Sequence, residues 1–121
     1  MNINRLTLWH VPLTSHLAYN MADGKICDTV TTSVLRLQAD NGLAGRGEVC
    51  PIPHYLAAYA DGVAPALNEL APVIFARDGS ALGTEAMMYA ANRYLIGHVF
   101  VKLALDIALW DLTAQVAGLP L

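Results

Sequence analysis

The sequence predicts an α+β fold in which a three-stranded antiparallel meander is followed by a bundle of three to four helices. Two observations lead to this prediction. The first half of the chain holds strand-like segments around an Asn41-Gly42 hairpin signal, and the second half repeats apolar residues at helical spacing. Pro51 and Pro53 separate the two patterns. A chain of 121 residues is one domain at most.

The first strand is predicted over residues 3–11, where apolar side chains fall on both faces. Pro12 is expected to end this strand, because proline removes a backbone donor. Residues 13–25 are polar and mixed, and Asp23-Gly24 is a turn signal, so this stretch predicts a long loop. Loops of this length are often binding loops or lids.

The second and third strands are predicted over residues 29–39 and 43–49. The second is rich in Val, Thr and Leu, and it alternates apolar with polar side chains toward its end. The third contains Gly45 and Gly47, which leave little side chain to pack. We therefore expect another part of the molecule to approach the backbone of this strand closely.

Two helices are predicted next. Apolar residues at i, i+3, i+4 and i+7 indicate a helix from Val63 to Leu70, which Pro72 ends or bends. Thr84 is a suitable N-cap for the second helix, and Gly97 is expected to stop it.

The last helix is predicted over residues 98–117 and is apolar on almost every side, with Gly118 as its C-cap. A helix of this kind is normally buried, and a 121-residue chain supplies too little protein to surround it. The composition agrees, because 55% of the residues are hydrophobic and only 14% are charged, against about 25% in a typical domain. We expect another domain or subunit to cover part of the surface.

The charge and the termini exclude several partners. The formal net charge is −3, which argues against nucleic acid and anionic membranes, since both attract basic surfaces. No apolar run reaches the roughly 20 residues of a membrane helix, and the N-terminus lacks the pattern of a secretory signal. Cys27 and Cys50 are too few for a disulfide framework. We expect a cytoplasmic protein.

Metal-binding and catalytic patterns are weak in this chain. Cys50, His54 and the distant Cys27 lack the paired spacing of a zinc site, so small buried thiols and a loop histidine are expected instead. There is no serine-centred elbow, and the glycines around the hairpin open a strand where a phosphate loop would open a helix. No catalytic residue and no metal ligand is predicted.

Charged side chains are interpreted as structural. Arg46 and Glu48 share one face of a strand and predict an ion pair across strands or between domains. Lys102 and Asp106 are four residues apart on the last helix and predict a pair on one face. Asp111 lies in the same apolar helix and is expected to clamp a neighbouring element, because an unpaired charge there is costly.

Three strings give the chain a family resemblance: Gly42-Leu-Ala-Gly-Arg-Gly-Glu48, Lys102-Leu-Ala-Leu-Asp-Ile-Ala-Leu-Trp-Asp-Leu112 and Gly118-Leu-Pro120. Together they resemble the N-terminal capping domain of the enolase superfamily, in its mandelate racemase and muconate lactonizing enzyme branch, over essentially the whole chain. Residues 50–63 resemble the subgroup of cis-3-hydroxy-L-proline dehydratases and proline-betaine epimerases. Residues 98–102 read His-Val-Phe-Val-Lys where this subgroup favours His-Pro-Tyr-Ala-Lys, and Arg46 replaces a more usual Trp.

The resemblance implies a Mg²⁺-dependent dehydratase or racemase/epimerase, a lyase or isomerase of amino acid metabolism. Its (β/α) barrel supplies the metal ligands and the base that removes a proton α to a carboxylate. We expect this barrel to be absent after residue 121, so that the chain binds no Mg²⁺ and is inactive alone. Residues 13–25 and 50–55 correspond to the two loops that close over the barrel. Tyr55 is the first candidate for substrate contact, with His54 and Tyr19 as second choices.

Two alternatives stay open at this stage. The chain could be a free-standing interaction or oligomerisation module that pairs with a separate barrel chain or with a second copy of itself, which the apolar last helix would equally suit. It could also be a truncated fragment without function. In the first interpretation the partners are the missing barrel domain and a small-molecule carboxylate, such as an amino or imino acid.

Overall fold

The computed structural model describes residues 1–53, 55–76 and 83–121. Three strands precede three α-helices in the part of the chain that is described, and the predicted α+β architecture is confirmed. The strands are β1 (Ile3–Asn20), β2 (Ile26–Ala39) and β3 (Ala44–Val49), and the helices are α1 (Val63–Phe75), α2 (Thr84–Tyr94) and α3 (Val99–Ala117). The sheet has the order β1-β2-β3 with antiparallel pairing throughout.

The loop predicted over residues 13–25 is wrong for most of its length. β1 continues through Pro12 to Asn20 and forms a long two-stranded ribbon with β2, with a register shift between Thr14 and Tyr19. Pro12 is tolerated because β1 is an edge strand, where a residue without an N–H group need not break the ladder. Polar side chains are tolerated because both faces of the ribbon are exposed there.

The tip of this ribbon is a tight turn, as Asp23 and Gly24 predicted. Both residues have left-handed backbones, with φ of 61° at Asp23 and 72° at Gly24. The Met21 N–H donates a hydrogen bond to the Lys25 carbonyl at 2.7 Å, which closes the turn. Residues 13–25 are therefore a β-ribbon with a fixed tip.

The glycine-rich strand β3 lies against the backbone of α3, as its composition predicted. A Cβ added at Gly45 would lie 2.0 Å from the carbonyl oxygen of Ala108, and one added at Gly47 would lie 1.9 Å from that of Ala104. No side chain fits in this space. The two glycines therefore allow the helix to pack directly on the strand.

One side of α3 is buried and the other is exposed. Leu105 and Leu112 are fully buried against the sheet, in a core shared with Leu35 and Leu37 of β2. The opposite side carries three apolar residues that remain 45–65% exposed: Val99, Leu103 and Trp110. The expectation that this chain cannot bury its last helix on all sides is confirmed. We call these three residues the α3 stripe.

Polar groups of α3 fasten the helix to its neighbours. The Asp111 carboxylate accepts a hydrogen bond from the Arg46 backbone N–H at 2.8 Å, and the Gln115 amide donates to the Ala44 carbonyl at 2.9 Å. These contacts occupy backbone groups on the free edge of β3, which would otherwise invite pairing with another chain. The predicted clamp by Asp111 is confirmed.

The two predicted ion pairs are not formed within the described residues. Lys102 is buried, and its ammonium group donates to the Leu95 carbonyl at the end of α2 instead of meeting Asp106. A cation at a helix C-terminus is favourable, because the carbonyl groups there carry partial negative charge. The Glu48 carboxylate accepts a 2.6 Å hydrogen bond from the Thr32 hydroxyl, which replaces the expected pairing with Arg46 inside this domain.

Candidate functional site

A groove of about 340 Å³ opens at the tip of the β1–β2 ribbon. All of its lining residues but Tyr55 belong to the ribbon tip, and Tyr55 belongs to the segment after β3. The residues are Tyr19, Asn20, Met21, Ala22, Asp23, Lys25 and Tyr55. We call this the ribbon-tip groove. It brings together Tyr19 and Tyr55, two of the three residues selected from the sequence.

The two tyrosines reach the groove by different routes. Tyr19 lies near the end of β1 and pairs with Cys27 after the register shift in the ribbon. Tyr55 follows β3 in a turn, where its backbone N–H donates to the Ile52 carbonyl at 2.9 Å. Their side chains are 70% and 75% exposed, so both rings are accessible to a ligand or to another surface.

His54, the third candidate, lies outside the described residues. Tyr59, the neighbouring aromatic residue, is also exposed but lines two adjacent cavities and not the ribbon-tip groove. Lys25 and Asp23 were missed as site residues. Their position in the turn was predicted, but isolated charges in a loop have no pattern that marks them for binding.

The groove is suited to binding and offers little chemistry of its own. Its polar side chains are two phenols, an amide, a carboxylate and an ammonium group, with no nucleophile paired to a base among the lining residues. Elsewhere, the His10 imidazole lies 2.9 Å from the Ser33 hydroxyl, but Ser33 is fully buried. That pair cannot reach a substrate.

Cys50 is also a poor candidate for nucleophile or metal ligand. Burial raises the pKa of its thiol above the ordinary value, and the negative charge of Glu48 acts in the same direction. A hydrogen bond with Thr32 opposes them. The thiol therefore stays protonated at neutral pH, whereas nucleophilic attack and metal binding both need the thiolate.

Neither a metal cluster nor a membrane span is found in the described ranges. Within residues 1–53, 55–76 and 83–121, no group of three or more His, Cys, Asp or Glu side chains could hold a metal ion. Over the same residues, none of the helices combines the length and apolar character required to cross a bilayer.

The expectation that the chain binds no Mg²⁺ remains a prediction. Isothermal titration of the 121-residue chain with MgCl₂ should give no saturable heat, because the described carboxylates do not converge. Stoichiometric binding in the micromolar range would contradict it.

The structure is an α+β domain in which a three-stranded meander precedes three helices, with an open aromatic groove at the ribbon tip. Residues 4–121 match the family model of the mandelate racemase / muconate lactonizing enzyme N-terminal domain. The chain therefore belongs to this family of the enolase superfamily.

Curated relatives include dehydratases and epimerases. The chain is 37% identical to a cis-3-hydroxy-L-proline dehydratase from Roseibium aggregatum, over 85% of this chain and 28% of the relative. It is 31% identical to an L-Ala-D/L-Glu epimerase from Bacillus subtilis, over 77% of this chain and 25% of the relative. The chain thus spans less than a third of either enzyme.

Solved structures have the same fold. A member of the enolase superfamily from Roseovarius nubinhibens, complexed with magnesium, superimposes with a TM-score of 0.83 at 32% identity. The match covers 95% of this chain and 30% of that one. Most of each relative therefore lies outside the region that this chain matches.

Proposed function

We propose that this chain is the capping domain of an enolase-superfamily dehydratase or racemase/epimerase, and that it sets substrate specificity by covering a (β/α) barrel. The substrate class is an amino or imino acid carboxylate such as hydroxyproline. The observation that carries the proposal is the ribbon-tip groove, where two exposed tyrosines from distant parts of the chain flank a space the size of a small ligand. The relationship to a cis-3-hydroxy-L-proline dehydratase supports the substrate class.

The groove needs a second surface to become a binding site. Ligand sites in proteins usually bury most of the ligand, whereas this groove leaves both tyrosines largely exposed. The α3 stripe is a second exposed surface, and it is apolar. In this proposal the barrel covers both the α3 stripe and the ribbon-tip groove.

In this proposal the domain binds and orients the substrate, and it excludes water from the site. In the complete enzyme the barrel would supply both the metal ligands and the base that removes the α proton, and a bound Mg²⁺ would supply stabilisation of negative charge there. The described residues of this chain do not fit a metal, so no step through one is assigned to them. Tyr55 and Tyr19 would cover the substrate from above and keep water from the reacting carbon.

The test is a chimaeric enzyme in which this chain replaces the matching N-terminal region of the Roseibium aggregatum dehydratase. Turnover of cis-3-hydroxy-L-proline by the chimaera, and its absence from the 121-residue chain alone, would support the proposal. A chimaera that binds Mg²⁺ and retains its fold but has no activity would contradict it.

Within that chimaera, Tyr55→Ala should lower kcat/KM by about tenfold or more, because an aromatic wall of the closed site is lost. Tyr59→Ala is the matched control, since Tyr59 is 72% exposed, close to Tyr55 in sequence and outside the groove. Steady-state kinetics on both variants measure the difference. Equal effects of the two substitutions on kcat/KM would show that Tyr55 is not part of the substrate site.

A further inference from the structure

The exposed side of α2 carries a row of three side chains, Glu85, Tyr89 and Arg93, spaced four residues apart. Residues at this spacing follow one another along a single ridge of a helix, with a rise of about 6 Å at each step. All three side chains are exposed, and Tyr89 keeps 63% of its surface open. We call them the α2 row. It begins with a negative charge, ends with a positive charge and has an aromatic ring between them.

The basic end of the α2 row is held in place. The Arg93 guanidinium lies 5.7 Å from the centre of the Tyr89 ring, and its Nη1 group donates a 3.0 Å hydrogen bond to the Tyr89 hydroxyl. A guanidinium group has five N–H donors, so this contact leaves others for a carboxylate. Because the side chain is already ordered, a partner that binds it loses less conformational entropy.

A groove of about 380 Å³ lies beside the row. It is lined by Val73 of α1 and by Tyr89, Ala90, Arg93 and Tyr94 of α2. Tyrosine and arginine are, with tryptophan, the residue types that supply most of the binding energy at protein interfaces. None of these five residues lines the ribbon-tip groove or belongs to the α3 stripe. This surface is therefore separate from the one that the barrel covers in the proposed function.

We propose that a second copy of this chain binds to the α2 row, with the two α2 helices antiparallel across a twofold axis at Tyr89. Glu85 and Arg93 are each four residues from Tyr89, so they lie about 6 Å from it along the helix in opposite directions. The axis therefore places Glu85 of each copy opposite Arg93 of the other, as an isologous contact requires. Two ion pairs then flank a central pair of tyrosine rings.

The order of the charges in the row selects a second copy over other partners. A patch of one sign would suit any partner of the opposite sign, whereas a row with one charge of each sign at equal distances from its centre complements itself. Parallel helices would bring like charges together. Antiparallel helices bring opposite charges together, and their dipoles also attract each other.

An alternative role for the two charges is to stabilise their own helix. Glu85 lies in the first turn of α2 and Arg93 in the last, where the helix dipole favours each of them. Exchanging the charges separates the two roles. For the helix alone, reversal of both charges is worse than reversal of one. For the dimer, reversal of both charges restores the two ion pairs.

Sedimentation equilibrium of the 121-residue chain measures the dimer directly, and circular dichroism checks that each variant is folded. Glu85→Arg and Arg93→Glu should each weaken dimerisation by about tenfold or more, because two repulsive pairs replace two attractive ones. The double exchange should restore dimerisation. An equimolar mixture of the two single variants should form a heterodimer, because one variant then has two positive charges in the row and the other has two negative ones.

Asp28→Arg is the matched control, since Asp28 is an exposed acidic residue of β2 and its replacement changes the net charge as much as Glu85→Arg does. It should leave the dimer unchanged, whereas Tyr89→Ala, which alters no charge, should weaken it. A chain that stays monomeric at millimolar concentration, or a mixture of the single variants that forms no heterodimer, would overturn the inference. So would a dimer that Trp110→Ala dissociates and Glu85→Arg does not, because that result places the second copy on the α3 stripe.

Discussion

Gly47→Ala is expected to destabilise the domain by about 3 kcal/mol, at the upper end of the cost of overpacking a core. The added methyl group would lie 1.9 Å from the Ala104 carbonyl oxygen and 2.9 Å from the Ala108 backbone nitrogen. Both are backbone atoms of α3, so no side chain can rotate out of the way. Either the helix moves off the strand or the strand leaves the sheet.

The conformation of Gly47 itself is not the obstacle. Gly47 lies within β3 and pairs with Leu35, so alanine can adopt its backbone. The cost comes from the lost contact between α3 and β3, because the same contact keeps the buried side chains of α3 in the core. Since domains of this size are stable by only about 5–15 kcal/mol, the variant should lose a large share of its stability.

Urea denaturation followed by circular dichroism measures the effect, with Gly62→Ala as the matched control. Gly62 has a φ of −78°, and no heavy atom lies within 4 Å of an added Cβ. Alanine there should change the free energy of unfolding by no more than about 1 kcal/mol, because its restriction of the unfolded chain is offset by the loss of a favoured N-cap residue of α1. Equal stabilities for the two variants would show that α3 does not pack on β3 as described.

The glycines of β3 also show what a sequence can reveal about packing. Two small residues in a strand indicate that something lies close to its backbone, because the missing side chains are a local property. The identity of the neighbour depends on how distant segments pack, and no spacing specified Ala104 or Ala108. The close approach was therefore predictable, whereas the helix responsible was not.

The far part of the β1–β2 ribbon, which was predicted as a loop over residues 13–25, was predicted wrongly for a related reason. Apolar alternation marks a strand only where one face is buried, and the far part of this ribbon is exposed on both faces. Backbone pairing such as Thr14 with Thr29 holds it instead, and pairing leaves little trace in side-chain chemistry. Pro12 looked like a strand end because its position at an edge could not be known in advance.

The groove was only partly predictable. Tyr19 and Tyr55 came from a family resemblance, since residues so far apart in sequence give no periodic signal of contact. The turn that carries Lys25 was visible as Asp23-Gly24, but its orientation toward Tyr55 depends on where the segment after β3 lies. Sites built from the ends of separate elements generally have this property.

Trp110→Ala is expected to show that the exposed side of α3 serves association more than stability. Trp110 is 45% exposed on the α3 stripe, so its loss should lower the free energy of unfolding of the isolated chain by about 1–2 kcal/mol, less than the truncation of a core residue. If a barrel covers the stripe, the same change should weaken association by about 2 kcal/mol or more, because buried tryptophans are frequent hot spots of interfaces.

Leu105→Ala, five residues earlier on the same helix, should do the reverse. Leu105 is fully buried in the core, and its truncation should destabilise the chain by about 2–5 kcal/mol. Urea denaturation measures the free energy of unfolding, and calorimetric titration of the chain with a separately expressed barrel measures the affinity between them.

Sedimentation of the chain alone tests whether the α3 stripe binds a second copy of the chain. A dimer that Trp110→Ala dissociates would assign the stripe to such a copy. Normal barrel binding by Trp110→Ala would exclude Trp110 as an anchor of that interface, and the barrel contact would then have to lie on another surface.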